Sequence, residues 1–227
     1  MTSRNWVRLF LSTLLVGGAA ASITGFIVRW SEFEPLFSHF DIMEILSVLL
    51  WLIGIGLIFS ILSQMGFFAY LTIHQFGLGI FKSASLWNAV QLILVAVAIF
   101  DLVYLRYNAF AGKGDSWLPY IGLALLAVVP AVIVAFFKAR QTNKEAFIPA
   151  LFFMVVVTMV EWVPVLRVNE HSWLYLMLFS LLACNAYQLL TLPKYNRKSA
   201  EERESAARKE KGTSQKAQKK AKPSKVQ

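Results

Sequence analysis

Asp101 and Glu161 are acidic residues inside long apolar runs of the 227-residue sequence. If these runs cross lipid, each carboxyl costs about 2.5 to 3.5 kcal/mol at a helix centre, so each needs a partner or a function. Both lie near the outer ends of their runs, where arginines also occur. We therefore predict a charge cluster at the outer interface that serves as a structural lock or a sensing site: Arg29, Asp101, Arg106, Glu161 and Arg167.

The same carboxyls raise a second possibility, a small-solute or proton-coupled transporter that uses Asp101 or Glu161. Such carriers place their carboxylates near the middle of the membrane, on broken helices. The sequence does not display that pattern, although a run interrupted by Pro130 leaves room for a small carrier. Transport is therefore the alternative function.

No pattern in the sequence indicates catalysis. The three histidines, His39, His74 and His171, are predicted to lie on two sides of a membrane and cannot surround one metal ion. Cys184 is the single cysteine, and zinc-protease, serine-nucleophile and phosphate-loop motifs do not occur. We expect no catalytic residue, no cofactor and no metal site.

Small residues recur in the first apolar run at a spacing that places them on one helix face. Such a face lets a second helix approach closely. Packing within the chain is the default interpretation, and contact with a helix of a membrane receptor is the alternative. The candidate helix-contact face consists of Gly17, Gly18, Ala21, Ser22 and Gly25.

An aromatic segment follows the second apolar run. Its candidate interfacial residues are Phe67, Phe68, Tyr70 and His74. Aromatic side chains are enriched at membrane surfaces, so we expect residues 66–81 to lie along the inner surface, with Gly77 and Gly79 as helix breakers. His74 faces headgroups in this interpretation, and titration of its ring near neutral pH is the alternative.

The amino-acid composition of the sequence is typical of a membrane protein. The sequence is 57% hydrophobic and 15% charged, against about 25% charged in soluble chains. Uncharged runs of membrane-spanning length recur, which predicts an all-α, polytopic membrane protein with about six transmembrane helices within residues 1–193. The predicted spans are Leu9 to Val28, Ile42 to between Leu62 and Met65, Asn88 to Leu105, Trp117 to Phe137, Ala146 to Leu166 and Trp173 to Leu192.

Basic residues predict the orientation. With the N-terminus inside, the cytoplasmic segments hold Arg4, Arg8, Lys82, the Lys138 to Lys144 loop and the basic tail. This bias favours cytoplasmic N- and C-termini in the plasma membrane. A cleaved signal peptide ending near Ala19 to Ala21 competes for the first run, but that run continues to Val28 and is long enough to span.

The net charge of +9 is concentrated in residues 194–227, a tail without the apolar residues needed for a core. Ser199 and Glu202 predict a short capped helix through Lys211, and disorder is expected after Gly212. Such a tail attracts anionic lipid headgroups. RNA or ribosome binding is a weaker alternative, and no nucleic-acid partner is expected.

Five short sequence segments within residues 1–198 resemble the KinB-signalling-pathway activation proteins of endospore-forming bacteria. They are Ser3 to Val7, Thr24 to Phe26, Gly66 to Thr72, Phe76 to Gly79 and Leu192 to Asn196. The resemblance implies a multi-pass protein of the cell membrane without catalytic residues. It further implies that the chain promotes the activity of a membrane sensor histidine kinase, its expected partner, at the start of sporulation. The lysine-rich extension departs from the family pattern.

Overall fold

The computed structural model describes residues 1–221, with side chains through Arg208. These residues form helices and connecting turns, and the prediction of an all-helical chain is confirmed. Within the described part of the chain, six helical segments are long and apolar enough to cross a membrane. The α-helices are α1 Ser3–Val28, α2 Trp30–Ser38, α3 Ile42–Phe81, α4 Ala84–Phe110, α5 Leu118–Gln141, α6 Phe147–Phe152, α7 Thr158–Leu166 and α8 His171–Ala221.

One helix, α3, runs unbroken for 40 residues. The prediction that it ends between Leu62 and Met65 is therefore wrong, as is the separate interfacial segment at 66–81. Isolated glycines destabilise a helix by only about 1 kcal/mol each. The burial of Phe67 and Tyr70 against other helices stabilises this part of α3 and offsets that loss. The helix ends at Phe81, because the next residue, Lys82, has a φ of 51° that breaks the α-helical path.

The small-residue face of α1 packs inside the bundle, against α3 and α8. A Cβ added at Gly17 would lie 2.5 Å from Ser60 Cβ and 3.1 Å from Cys184 Sγ. On α3, a Cβ added at Gly56 would lie 2.7 Å from Ala21 Cβ. The two backbones therefore meet without room for larger residues. The whole predicted face is buried here: Gly17, Gly18, Ala21, Ser22 and Gly25.

The α8 helix passes through Pro193 without ending. Proline has no N–H, so the Leu189 carbonyl four residues earlier loses its helical donor. Lys138 of α5 supplies a replacement, because its Nζ donates to Leu189 O at 2.7 Å. A basic residue predicted for the loop after α5 is thereby buried against α8, where it satisfies a backbone acceptor.

We expect Lys138→Met to lower the free energy of unfolding in detergent by about 2 kcal/mol, because it leaves the Leu189 carbonyl without a donor. In a Pro193→Ala background the restored amide at position 193 can donate to the Leu189 carbonyl. Lys138→Met should therefore lower the free energy of unfolding by less in that background. Thermal unfolding of the four proteins of this double-mutant cycle measures the difference. An equal loss of stability in both backgrounds would contradict the role of Lys138 as the replacement donor for the Leu189 carbonyl.

The start of α1 and the part of α8 after Pro193 meet at one end of the helical bundle. The Thr2 amide and Asn5 Nδ2 donate to Ser199 Oγ at 3.1 and 2.9 Å. Arg4 forms an ion pair with Glu202 at 2.6 Å. The start of α1 is therefore fixed to the part of α8 that follows Pro193.

The tail differs from its sequence-based prediction. Instead of a helix ending at Lys211 and disorder after Gly212, α8 continues through Ala221. Extension of an existing helix avoids the cost of nucleation that makes isolated helices marginal, and alanine, lysine and glutamate favour helix. Residues 222–227 of the predicted tail lie outside the described residues.

Candidate functional site: a buried polar layer and a lateral groove

A buried polar layer crosses the bundle between α3, α7 and α8. It lies beside Ser63, about 30 Å from either end of α3 at 1.5 Å per residue. None of its side chains is more than 4% exposed. We define the polar layer as Ser60, Ser63, Gln64, Thr158, Glu161, Asn185 and Gln188.

Asn185 is the hub of this polar layer. Its Nδ2 donates to Glu161 Oε2 at 2.8 Å and to Thr158 Oγ1 at 2.9 Å. Its Oδ1 accepts from Ser63 Oγ at 2.6 Å. Gln188 Nε2 in turn donates to Ser63 Oγ at 2.7 Å. One side chain of α8 thereby connects α3 and α7 in a region where water does not compete for hydrogen bonds.

A second group of hydrogen bonds extends the polar layer to α1. Gln64 Nε2 donates to Ser60 Oγ at 3.3 Å, and Ser60 Oγ donates to the Thr13 carbonyl at 2.9 Å. The close approach at Gly17 and Gly56 brings α1 within reach of Ser60. The polar layer therefore joins the first helix of the bundle to its central helix.

Glu161 occupies an unusual position in the polar layer. Its Oε2 accepts from Asn185, whereas its buried Oε1 has no hydrogen-bond partner among the described residues. The carboxyl lies directly against Gly66 of α3, where an added Cβ would overlap Oε1. Gly66 is therefore required for α7 to approach α3 with this side chain between them.

A π-helical turn, Phe153–Val157, directs Thr158 and Glu161 into the polar layer. A π-turn changes the angular register of the residues that follow it, and such turns are frequent at functional sites. Aromatic packing supports this one: the Phe153 ring lies 5.4 Å from Phe67 and 5.0 Å from Tyr70, between centroids. The Tyr70 hydroxyl also donates to the Pro149 carbonyl at 2.9 Å.

The predicted interfacial residues thus have different environments. Phe67 and Tyr70, three apart on one helix face, are buried in the core, and Phe68 is 42% exposed. His74 Nδ1 is paired with Trp87 Nε1 of α4 at 3.0 Å. The prediction of one surface-lying aromatic segment fails because α3 turns Phe67 and Tyr70 toward the bundle interior.

A lateral groove of about 550 Å³ opens between α4 and α7. Its walls are mainly apolar, with Leu105, Met159 and Val160 among them, and Asp101, Arg106 and Arg167 also line it. Asp101 is exposed and forms no ion pair with another described residue. Arg106 is buried, and its Nη1 donates to the Leu166 carbonyl at 2.6 Å, where it stabilises the end of α7.

The five residues predicted as one charge cluster occupy three places. Asp101, Arg106 and Arg167 share the lateral groove. Glu161 is hydrogen-bonded to Asn185 in the polar layer, because the register after the π-turn directs it toward α8. Arg29 forms an ion pair with Glu32 at 2.9 Å, near the start of α2. The predicted pairing of Glu161 with an arginine is therefore absent from the described residues.

Comparison with known proteins identifies the family. A profile described as KinB-signalling pathway activation in sporulation matches residues 17–195. A protein of Bacillus subtilis (strain 168) named KinB-signaling pathway activation protein is 50% identical over 195 residues, which cover 86% of this chain and 98% of that protein. No solved structure matches. The chain therefore belongs to the family of KinB-signalling pathway activation proteins.

Proposed function

We propose that this chain is a non-enzymatic, integral membrane accessory protein that activates a membrane sensor histidine kinase of the KinB type at the onset of sporulation. The observation that carries the proposal is the 50% identity, along nearly the full length of the relative, to a protein named for KinB-signalling activation. Six helices of spanning length supply the means of residing beside such a kinase in a bilayer.

The proposed topology has six crossings in the cell membrane, with both chain ends in the cytoplasm. Basic residues of the inner segments and the tail support this orientation. The contact of Thr2 with Ser199 agrees with two ends on one side of the lipid. In this arrangement the basic part of α8 lies where it can contact anionic headgroups.

The lateral groove is the proposed docking site, and a basic transmembrane helix of the kinase is its occupant. Trp87 and Tyr107 of α4 are 20 residues apart, about 30 Å, which matches the hydrocarbon thickness between two aromatic belts. Asp101 then lies about 6 Å from the midplane. A carboxylate exposed at that depth is costly unless a cation pairs with it. A lysine or arginine on a helix seated in the groove would supply that cation.

The direct test combines deletion with complementation. Deletion should abolish a kinase-dependent sporulation reporter, and the wild-type gene should restore it. Asp101→Asn keeps the shape of the side chain but removes its charge. This variant should restore about tenfold less reporter output than the wild type, as expected for a loss of about 1.4 kcal/mol in partner binding. Glu170→Gln, an isosteric change at an exposed loop carboxyl, should restore fully.

Photo-crosslinking locates the contact. A crosslinker at the exposed groove residue Leu105 should capture the kinase, and one at Leu125 on the exposed surface of α5 should not. Normal reporter output after deletion would reject the function itself. A different combination would reject only the docking site: deletion reduces reporter output, the Asp101→Asn variant restores normal output, and the crosslinker at Leu105 does not capture the kinase.

Transport is the second candidate, and the central position of Glu161 in the polar layer favours it. In this function the carboxyl couples proton movement to solute uptake. The test is proton flux into sealed vesicles, followed by a pH-sensitive dye while solutes are added. Flux lost in Glu161→Ala and retained in Glu170→Gln would support transport, and an absence of solute-dependent flux in the wild type would reject it.

A further inference from the structure

We propose that Glu161 is a proton-binding site within the membrane bundle: its Oε1 carries a proton in the folded protein, and this proton allows α7 to pack against α3. The inference concerns the chemical state of one side chain and does not depend on a kinase partner. It rests on the burial of the carboxyl, on its hydrogen bonds and on its contact with Gly66.

Charge balance at Glu161 favours the neutral carboxyl. Glu161 is 4% exposed, and an ionised carboxylate at such a site requires a cation or several donors. Its hydrogen-bond donor among the described side chains is the neutral amide of Asn185. The two basic side chains that are buried among the described residues are engaged elsewhere, Lys138 with Leu189 O and Arg106 with Leu166 O. A neutral carboxylic acid satisfies this balance without a counterion.

The other ionisable groups on the surrounding helices do not supply a counterion for Glu161. On α3 the buried one is Tyr70, whose hydroxyl donates to the Pro149 carbonyl. On α8 it is Cys184, which is buried near Gly17. On α4 the exposed Asp101 and the buried Arg106 line the groove, and Arg167 follows α7. Tyr70 and Cys184 are neutral groups, so neither balances a negative charge on Glu161.

The two oxygens of the Glu161 carboxyl have different environments, which identify the one that holds the proton. Oε2 already accepts the Asn185 amide hydrogen at 2.8 Å. Oε1 is buried, lacks a donor and lies against Gly66. An ionised Oε1 would need water or a cation, and either needs space that the contact with Gly66 does not provide. Loss of the proton therefore requires α7 to move away from α3.

Asn185 also argues against a metal cation as the ligand. Its Nδ2 lies 2.8 Å from Glu161 Oε2 and 2.9 Å from Thr158 Oγ1, between the two oxygens that would coordinate a monovalent cation. A donor at that position stabilises two acceptors and repels a cation. Sodium binding thus becomes an outcome that the experiment must distinguish.

Infrared spectroscopy of the full-length protein in lipid nanodiscs tests the proposal. With ¹³C-labelled glutamate incorporated, the wild type at neutral pH should show a protonated carboxylic C=O band that shifts with the label. The other glutamates with described side chains are exposed or partly exposed, and Glu161 is the buried glutamate among them. The band should be lost in Glu161→Gln and retained in Asp101→Asn.

Because the labelled wild type alone can show or lack the band, the test does not depend on folding of a variant. Absence of a label-sensitive C=O band in the wild type would overturn the proposal, as would its persistence in folded Glu161→Gln. Thermal unfolding in sodium chloride and in choline chloride adds a third readout. Equal stability in the two salts is expected, and sodium-specific stabilisation lost in Glu161→Gln would show that the ligand is sodium.

Discussion

The Gly56→Leu substitution is expected to prevent stable assembly of the bundle. A Cβ at position 56 would lie 2.8 Å from Gly18 Cα and 2.7 Å from Ala21 Cβ. Overpacking usually costs about 1 to 3 kcal/mol when side chains can adjust, and here a helix backbone must move, so we expect more than about 3 kcal/mol. Yield of monodisperse protein in mild detergent, followed by thermal unfolding, measures the effect.

Gly54→Leu is the matched control on the same helix. No atom lies within 4 Å of a Cβ added at Gly54, so this change should leave stability unchanged or raise it slightly through helix propensity. Similar yields and unfolding temperatures for the two variants would show that α1 and α3 do not pack as described.

Asn185→Leu is expected to have the second-largest effect. It removes hydrogen bonds to Ser63, Thr158 and Glu161 and leaves their buried polar atoms without this partner. At about 0.6 kcal/mol for an average hydrogen bond in a membrane protein, the loss reaches at least about 2 kcal/mol. Reversible unfolding in a mixed-detergent titration measures it.

Asn108→Leu is the control for hydrophobic substitution of an asparagine. Asn108 is exposed in the last turn of α4, so its replacement should change stability by less than about 0.5 kcal/mol. If the two asparagine variants were equally stable, the polar layer would not join α3, α7 and α8. If Asn108→Leu alone were destabilised, the assignment of buried and exposed asparagines would be wrong.

Much of the fold could be predicted from where charges interrupt the apolar runs. The start of α3 has a local signal as well: Asp41 and Glu44 have the three-residue spacing of a capping pair, and Asp41 accepts from the Glu44 amide at 3.3 Å. The end of α3 was not visible, because an uncharged stretch continues to Phe81 and single glycines do not break a helix that other elements cover. The helix continues past Met65 because Phe67 and Tyr70 are buried against other helices, and local helix propensity does not predict that burial.

The site was only partly predictable. Asp101 and Glu161 could be selected because ionisable groups in apolar runs are costly. The partners of Glu161 were missed, although Ser60, Ser63 and Gln64 share one helix face at spacings of three and four. Treating those neutral polar residues as a set, together with Asn185 and Gln188, would have predicted the polar layer. The π-turn that redirects Glu161 has no local sequence signal.

The position of α1 between α3 and α8 has a consequence for biosynthesis. Helix α1 is synthesised well before α8 but contacts it, and Ser63 and Glu161 meet Asn185 only when α8 has been made. Until then a nascent chain carries a glutamate and several hydroxyl and amide groups without their final partners. Synthesis of α8 is therefore the event that joins separate helices into one stable unit, and chains that stop short of it keep these polar groups without partners.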